Sequence, residues 1–216
     1  VRYISCGTGS YVLDVWKMEE LYACSMPEEL GKAAYRAAAK ADCMVHLYTG
    51  LCVRHSRWCA EHLTDYMEEK MRPLMEKTHI VVDDLDAYVE QMHCPVFKLY
   101  ITFPNRKEYD IAYEGVKDLP VFLTDGGWAV DLEVMSRDTD KGVALKALAE
   151  RLHIPREQVL AMGDSGNDCA MIKFAGVGAA MGNAGEQAKK IADVIAPSNR
   201  EDGVAWMLRR AARGEI

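Results

Sequence analysis

The segment of this sequence best suited to chemistry is a turn that carries two carboxylates and a carboxamide. Residues 163–168 read Gly-Asp-Ser-Gly-Asn-Asp, directly after the apolar run 159–162 and directly before a helical pattern. In an open parallel sheet, ligands bind beyond the carboxyl ends of the strands, where this loop must lie. Mg²⁺ takes one or two protein carboxylates together with substrate phosphate and water. Asp164 and Asp168 are therefore candidate cation ligands, the alternative being that they only cap the following helix.

A lysine one β-α step earlier could supply a positive charge for a phosphate. Lys141 precedes Gly142 and starts the predicted helix just before the strand that leads to Asp164. The lysine ammonium is a mobile point charge that suits a phosphate group. A single lysine at a helix start would otherwise be an ordinary surface residue, so its interest depends on the aspartate loop beside it.

Two later turns carry carboxamides that belong to the same edge of the predicted sheet. Asn183 lies in the segment Ala-Met-Gly-Asn-Ala at 180–184, and Asn199 lies in Ser-Asn-Arg-Glu-Asp-Gly-Val at 198–204. Individually these are common turn residues. Their position after successive short apolar strands predicts that they lie near Asp164.

The elements that must position these residues alternate strictly between helix and strand. We predict helices at 141–152, 166–174, 187–191 and 202–213, and strands at 159–162, 176–180 and 193–195. Such alternation with short apolar strands indicates a parallel sheet covered on both faces. The C-terminal third therefore has the pattern of half a doubly wound α/β domain.

The earlier part of the chain has a mixed pattern, typical of a separate α+β domain. We predict strands at 3–5, 11–15, 44–48, 79–82, 96–101, 121–124 and 128–134, and helices at 25–41, 57–77, 84–91 and 105–116.

Four local expectations accompany these elements. Ser25 should cap the first of these helices, and Pro73 should kink or break the second. The Asp-Gly-Gly at 125–127 should turn a hairpin between the last two strands. Asp131 and Glu133 alternate with apolar residues, so that strand should have one wet face or a face toward a cleft.

Composition limits the possible functions. The chain has 216 residues, 50% hydrophobic and 27% charged, which fits one large or two modest globular domains. Its net charge of −7 argues against broad binding to a nucleic-acid backbone. The sequence contains no apolar run that could span a bilayer and no signal segment at its start, so no membrane association is expected. Seven scattered cysteines without a Cys-x-x-Cys pair predict reduced thiols and a cytoplasmic location.

Four motifs in order resemble the core of the haloacid-dehalogenase-like (HAD) phosphatase superfamily, and most closely its Cof-type branch with a large α/β cap. They are Lys-Gly-Val-Ala-Leu at 141–145, the aspartate loop at 163–168, the segment 180–184, and Ala-Asp at 192–193 with Glu-Asp-Gly-Val at 201–204. Residues 4–14 are similar to the core strand and turn that lead into the cap, and residues 96–99 resemble a cap strand. The resemblance covers essentially the whole chain.

This resemblance implies Mg²⁺-dependent hydrolysis of phosphate monoesters. In such enzymes an aspartate of an Asp-x-Asp motif attacks phosphorus and forms an aspartyl-phosphate, and the second aspartate acts as general acid and base. Lys141 would neutralise the nucleophile and the phosphoryl group. Asp164 would ligate Mg²⁺, Asp168 would support Lys141 or the metal shell, and Asn167 would contact the phosphoryl group.

The change from a mixed to a strict β-α rhythm near Lys141 predicts a domain division. Residues 1–16 and 137–216 would form a three-layer, Rossmann-like α/β core whose N-terminal part is missing, and residues 17–136 would form an inserted α+β cap.

The Asp-x-Asp-Gly-Thr nucleophile motif is absent from the 216 residues, so we expect it in a segment missing from this sequence. Asp84-Leu85-Asp86 looks similar, but it lacks the Gly-Thr and lies in a helix-capping context, so we interpret it as a helix start. The 216-residue chain alone is expected to be inactive. A non-catalytic, truncated phosphate-binding or oligomerising module is the alternative function.

The resemblance leaves the substrate open within small phosphorylated metabolites. Sugar phosphates are the first expectation, followed by phosphorylated cofactors such as flavin mononucleotide or pyridoxal phosphate. The oligomeric state is open as well. Side chains of the cap that face the cleft would select the substrate; the candidates, each also compatible with an ordinary surface or core role, are Tyr48, Arg54, His93, Lys98 and Trp128.

Overall fold

The computed structural model describes residues 1–66, 68–125 and 130–216, which form two compact units. The first unit combines Val1–Ala23 with Thr139–Ile216, and the second is Cys24–Asp138. The sequence placed this division after residues 16 and 136. The difference arises because a strand at Glu19–Ala23, which the sequence did not predict, pairs with the strand at Tyr11–Asp14.

The first unit opens with a three-stranded antiparallel sheet made of β1 (Tyr3–Cys6), β2 (Tyr11–Asp14) and β3 (Glu19–Ala23). The turn between β1 and β2 requires a glycine, because Gly9 has a φ of 96° and a Cβ there would lie 2.7 Å from the Asp140 carbonyl oxygen. This close approach fixes the turn against the start of the helix at Lys141–Arg151.

The second unit is a six-stranded sheet with helices. Its strands are β4 (Met44–Thr49), β5 (Cys52–Ser56), β6 (His79–Val82), β7 (Lys98–Thr102), β8 (Val121–Thr124) and β9 (Asp131–Ser136), in the order β6-β5-β4-β7-β9-β8. Its helices are α1 (Glu28–Ala38), α2 (Arg57–Glu61), α3 (Leu63–Tyr66), α4 (Arg72–Thr78), α5 (Leu85–Gln91) and α6 (Arg106–Val116). Only the β5–β6 pair is parallel among the described pairings of this sheet.

The two faces of this sheet pack against different helices, because successive side chains of a strand point to opposite faces. Val45 and Leu47 belong to the larger apolar core, which contains residues of α1, α5 and α6. Met44 points to the other face and packs in a smaller cluster with residues of α2, α3 and α4, namely Cys59, Leu63 and Met75.

The remainder of the first unit alternates between helix and strand. It contains α7 (Lys141–Arg151), β10 (Leu160–Gly163), α8 (Cys169–Phe174), β11 (Val177–Ala180), α9 (Glu186–Ile191), β12 (Val194–Ile195) and α10 (Gly203–Ala212). The three strands form a parallel sheet in the order β10-β11-β12. The predicted α/β fold class and the β-α alternation are confirmed.

The predicted extents of two helices were wrong. The first helix begins at Glu28 with Pro27 as its N-cap and no side-chain cap, because Met26 forms a β-bridge with Val96 and holds the preceding chain extended. Region 57–77 is divided into α2, α3 and α4 instead of one long helix; α4 begins at Arg72, so a helix boundary does fall next to Pro73, which lies in the first turn of α4, where proline is tolerated.

Of the two alternatives for Asp131 and Glu133, the solvent-exposed face is not found. Both side chains are buried, at 2% and 7% exposure. Glu133 pairs with Lys98 of the neighbouring strand, and Asp131 accepts a hydrogen bond from Tyr100. The antiparallel pairing of β8 with β9 is confirmed, while residues 126–129 of the predicted turn lie outside the described residues.

Candidate phosphate and cation site

The N-terminus of α7 is fixed by an aspartate that the sequence reasoning did not single out. Asp140 is the N-cap, and its Oδ1 accepts hydrogen bonds from the backbone N of Gly142 at 2.6 Å and of Val143 at 3.0 Å. Lys141 is therefore the first residue of a firmly capped helix. The signal was available in the sequence, because an aspartate directly before a helical pattern is a common N-cap.

Lys141 reaches from this helix to the aspartate loop. Its Nζ donates to Oδ1 of Asn167 at 2.7 Å and to Oδ1 of Asp168 at 2.6 Å. The ammonium has three protons, so one donor remains for a ligand. The structure thus brings together three of the predicted site residues, and the Lys141 side chain retains 30% exposure.

Asp168 is the centre of this loop. Its Oδ2 accepts hydrogen bonds from the backbone N of Asp164 and Ser165 and from the Ser165 hydroxyl, each at 3.0 Å. Because Oδ1 already binds Lys141, both carboxylate oxygens are engaged by protein donors. Of the two roles that the resemblance implied for Asp168, this geometry favours support of Lys141.

The loop can close this tightly because a glycine ends β10. A Cβ on Gly163 would lie 2.3 Å from the Cβ of Asp168. Any side chain at this position would push Asp168 away from the backbone amides that donate hydrogen bonds to it.

The charge state of Asp168 follows from these contacts. Burial alone would raise the pKa of Asp168, whose exposure is 5%. The hydrogen bonds from Lys141 and from the amides of Ser165 and Asp164 outweigh burial and hold the pKa of Asp168 below its ordinary value. Asp168 is therefore an anion that fixes a cationic lysine.

Ser165 has a structural role that was not recognised in the sequence. Its hydroxyl lies 2.7 Å from Oδ1 of Asn167 and 3.0 Å from Oδ2 of Asp168, so its single proton is shared between these two acceptors. These bonds orient the Asn167 carboxamide, whose oxygen faces Lys141 and Ser165. Its Nδ2 is left as a hydrogen-bond donor for an anion.

Asp164 lies at the end of β10 and is exposed. Its Oδ2 accepts a hydrogen bond from Nδ2 of Asn183 at 3.0 Å, and Oδ1 of Asn183 accepts one from the backbone N of Asn199 at 2.9 Å. The turns after β10, β11 and β12 are therefore linked, as the sequence predicted from their shared edge. Among the described residues, Oδ1 of Asp164 accepts no hydrogen bond.

A cavity of about 270 Å³ adjoins Lys141 and Asp168 in the first unit. Its walls are mostly apolar and come from α7, α8 and the β1–β2 turn; they include Ser5, Thr8, Gly9, Ala144, Leu145, Leu148 and Met171. The charged pair therefore borders an apolar recess, where charges interact more strongly than in bulk water.

The donor set fits a hard cation only in part. Asp164 supplies an accessible carboxylate oxygen of the type that Mg²⁺ prefers, and Mg²⁺ often takes only one or two protein carboxylates. Within the described residues, no group of three or more His, Cys, Asp or Glu side chains is arranged to hold a metal ion. The residues present therefore fit Mg²⁺ as a partial shell, to be completed by other ligands such as phosphate and water.

Asp84 and Asp86 lie in the second unit and serve structural roles. Asp84 is the N-cap of α5, and its Oδ1 accepts from the backbone N of Ala87 at 3.0 Å. Asp86 accepts from the Tyr35 hydroxyl at 2.8 Å. The interpretation of Asp84 as a helix start is confirmed.

Of the candidate substrate-selecting residues of the second unit, the structure brings Lys98 and Tyr48 together and places Arg54 elsewhere. Lys98 is buried and paired with Glu133, and it lies over the rings of Tyr48 and Tyr100. Arg54 donates to Thr49 and lies over Tyr88 on the opposite sheet face. The His93 side chain is 86% exposed. Trp128 lies outside the described residues.

No helix among the described residues is long and apolar enough to cross a membrane.

A family model described as haloacid dehalogenase-like hydrolase matches residues 1–208. Because this match runs along nearly the whole chain, the protein belongs to the haloacid dehalogenase-like hydrolase family, as its motifs predicted.

Individual relatives agree with this assignment. Phosphatase YwpJ of Bacillus subtilis is 51% identical over 79 residues, which are 37% of this chain and 28% of that phosphatase. A phosphoglycolate phosphatase of Archaeoglobus fulgidus is 40% identical over 106 residues, which are 48% of this chain and 47% of the relative. The matched segments thus span less than half of these curated relatives.

A solved structure of a haloacid dehalogenase-like hydrolase from Bacteroides thetaiotaomicron is similar along the chain. Its TM-score is 0.79 at 27% identity, with 97% of this chain and 76% of that chain covered.

Proposed function

We propose that this protein is a Mg²⁺-dependent phosphatase of the Cof-type branch that acts on phosphate monoesters of small metabolites. The observation that carries the proposal is the position of Lys141, held by Asp168 and Asn167 in the same loop that presents Asp164. The two relatives named above are phosphatases, which supports the same reaction class.

In the proposed reaction the chain's own residues bind and neutralise the phosphoryl group. Lys141 would donate to a phosphoryl oxygen with its remaining proton, and Nδ2 of Asn167 would donate to another. Asp164 would hold the cation, which when bound would neutralise further phosphoryl charge. Phosphoryl transfer depends mainly on such positioning and charge stabilisation.

The attacking carboxylate is a separate part of the proposal. We infer that it is not among these 216 residues, because they contain no Asp-x-Asp-Gly-Thr and Asp84 is committed to a helix cap. The carboxylate oxygen would form a bond to phosphorus while the ester P–O bond breaks. The leaving oxygen would take a proton from the second aspartate of that motif, and water would then hydrolyse the aspartyl-phosphate.

The two compact units would then have different tasks. We assign the unit of Val1–Ala23 and Thr139–Ile216 to the catalytic core, and Cys24–Asp138 to a cap that selects the substrate. Sugar phosphates remain the first substrate class to test, and phosphorylated cofactors the second. We place the protein in the cytoplasm, since all seven of its cysteines are free thiols.

The first experiment measures binding, which does not require the nucleophile. Inorganic phosphate titrated into the 216-residue chain should shift the NMR signals of the loop 163–168, and Lys141→Met should abolish the shift. Lys146→Met on the same helix is the matched control, because the Lys146 side chain is 59% exposed. A phosphate response that Lys141→Met leaves unchanged would contradict the proposed site.

The second experiment measures turnover with a panel of phosphate monoesters and Mg²⁺. The 216-residue chain should be inactive, and a version extended by upstream-encoded residues that contain Asp-x-Asp-Gly-Thr should be active. In that version Lys141→Ala should lower kcat by roughly 10²-fold or more. Robust, Asp84-dependent activity of the 216-residue chain would overturn the inference about the nucleophile.

The second candidate function is a non-catalytic module that binds a phosphate ligand or oligomerises. The observation behind it is that Lys141, Asn167 and Asp168 can hold a phosphate group without any chemical step. It predicts phosphate binding through Lys141 without turnover, even in a protein that includes any upstream-encoded residues.

A further inference from the structure

Three histidines of the second unit, two of them buried and one partly buried, form a group that the proposed phosphatase site does not use. His46 of β4, His55 of β5 and His79 of β6 lie on one sheet face. The distance between ring centroids is 5.5 Å for His46–His55, 5.0 Å for His46–His79 and 5.1 Å for His55–His79. We refer to these three residues as the histidine triad.

The strand register explains how they meet. β4 and β5 are antiparallel with Leu47 opposite Arg54, which sets His46 opposite His55. β5 and β6 are parallel with Val53 opposite His79, and Val53 shares a face with His55. Residues from three adjacent strands therefore converge through ordinary pairing.

His46 and His55 are buried and His79 is partly buried, and most of the ring nitrogens of the triad have no hydrogen-bond partner within the described part of the chain. His46 is 0% and His55 is 2% exposed. Both ring nitrogens of His46, Nδ1 of His55 and Nε2 of His79 are buried and have no partner among the described residues. Nδ1 of His79 lies 2.9 Å from the Thr78 hydroxyl. Buried polar atoms usually have partners, so four such atoms in one group need an explanation.

A metal centre does not explain them. The triad lies wholly within the part of the chain that the structure describes, and no group of three or more ligating side chains there is arranged for a metal ion.

The neighbouring charged groups do not offer a counter-ion. On β7, Tyr100 stacks on His46 with centroids 5.8 Å apart, and its hydroxyl donates to Asp131. Lys98 of β7 is paired with Glu133 of β9, and its charge lowers the pKa of His46 further. From the helices, the nearby cluster contributes Cys59, Leu63 and Met75, with Tyr66 at its edge.

The same helices cover this sheet face. α2, α3 and α4 each contribute one buried residue to the cluster around Met44, which lies two residues before His46 on the same face. α4 runs directly into β6 at His79, and β5 runs directly into α2 after His55. We call these three helices the cover.

Uncharged imidazoles can remain under the cover, but imidazolium ions cannot without cost. Burial lowers the pKa of all three histidines, and for His46 and His79 the neighbouring histidines lower it further. The pKa of His79 falls to about 4. Histidines in an open, solvated state would titrate near their ordinary value of about 6.5.

We propose that the histidine triad is an acid-operated latch, whose protonation releases the cover from the sheet of the second unit. Proton binding and closure of the cover are coupled in one direction. A base whose pKa is depressed in the closed state binds fewer protons there than in the open state, so closure weakens as pH falls below about 6.5. For His79 alone, the equilibrium constant for opening of the cover should rise roughly thirty-fold when the pH is lowered from 7.5 to 5.

Hydrogen–deuterium exchange of the 216-residue protein, corrected for the intrinsic pH dependence, tests this. Between pH 7.5 and 5, exchange should rise in peptides from α2 and α4, while α6 of the same unit stays protected. Cys59, which is 3% exposed, should become reactive toward 4,4′-dithiodipyridine over the same pH range. A uniform rise in α6 and the cover together, or no rise at all, would overturn the latch.

Variants separate the triad from other titrating groups. His79→Phe should reduce the pH-dependent part of the exchange by about the factor assigned to His79, and His93→Gln should leave it unchanged, since His93 is exposed. If His79→Phe fails to fold, an NMR pH titration of the histidine ring signals in the unsubstituted protein provides the test. Triad signals that titrate near pH 6.5 while the cover remains protected would contradict the proposal.

Discussion

Lys141 and Asp168, 27 positions apart in sequence, form an ion pair in which Nζ lies 2.6 Å from Oδ1. The other carboxylate oxygen of Asp168, Oδ2, accepts hydrogen bonds from backbone amides of its own loop. One carboxylate thus performs two tasks: it shapes the loop after β10 and it fixes the ammonium at the start of α7. The proposed phosphate site therefore depends on this ion pair more than on any single residue.

Asp168→Asn should destabilise the protein by about 1–3 kcal/mol, because an amide cannot accept hydrogen bonds at both ends. Either Lys141 or the loop amides would then face an NH₂ group. Urea unfolding of the variant beside Asp138→Asn, an exposed control, measures the difference. Equal stability of the two variants would show that the contacts of Asp168 contribute nothing.

The same comparison has a predicted pH dependence. The pKa of Asp168 is depressed in the folded state, so its stabilisation is full above the ordinary value of about 3.9 and is lost as pH falls through the folded pKa. The stability gap between wild type and Asp168→Asn should therefore stay constant from pH 7 to 5 and shrink below about pH 4. A gap that closes between pH 7 and 5 would assign the effect to another group.

Gly163→Ala should disturb the loop without changing any charge. The added Cβ would lie 2.3 Å from the Cβ of Asp168, and overpacking of this kind costs about 1–3 kcal/mol. Gly185→Ala is the matched control, because no atom lies within 4 Å of a Cβ there. Thermal unfolding should separate the two variants, and phosphate binding should weaken only in Gly163→Ala.

Much of the first unit could be predicted from sequence because its signals are local. Short apolar strands, each followed by a polar turn, fix a parallel sheet and place Asp164, Asn183 and Asn199 at one edge. The role of Asp168 remained open, since only the structure shows which donors reach each oxygen. The sequence indicated that Lys141 matters, but not that Asp140 caps its helix and Ser165 orients Asn167.

The second unit was harder to predict because tertiary contacts determine where its helices begin and which of its polar side chains are buried. Ser25 has the right residue type for a cap, yet the bridge between Met26 and Val96 moves the helix start to Glu28. Glu133 alternates with apolar residues as a solvent-facing residue would. It is nevertheless buried, because its partner Lys98 lies 35 residues earlier on the adjacent strand. Pairing over such distances leaves no local pattern.

Lys98→Met should be strongly destabilising, since removing one partner of a buried ion pair leaves an uncompensated charge at a cost of about 3–5 kcal/mol. Both side chains are only 10% exposed. The double variant Lys98→Met/Glu133→Leu should recover most of this loss. Arg36→Ala is the control, because the pair of Arg36 and Glu90 is about half exposed and should contribute less than about 1 kcal/mol.

Asp84→Ala should lower stability by about 1 kcal/mol through loss of the cap on α5. It should leave phosphate binding by the 216-residue chain unchanged, because Asp84 bonds to Ala87 within the second unit. Chemical denaturation and the phosphate titration measure the two effects separately. Loss of phosphate binding in this variant would reopen Asp84 as a site residue.

The last prediction concerns the cation. The 216-residue chain should bind Mg²⁺ weakly or not at all in calorimetry, even with Asp164 intact. Asp164 provides one accessible carboxylate, Asp168 is fully occupied by Lys141 and the loop, and Mg²⁺ gives up its water reluctantly. Phosphate bound at Lys141 would add oxygen ligands, so Mg²⁺ binding should strengthen when phosphate is present, and Asp164→Asn should remove that gain. Micromolar Mg²⁺ affinity without phosphate, abolished by Asp164→Asn, would show instead that these residues already form a complete cation site.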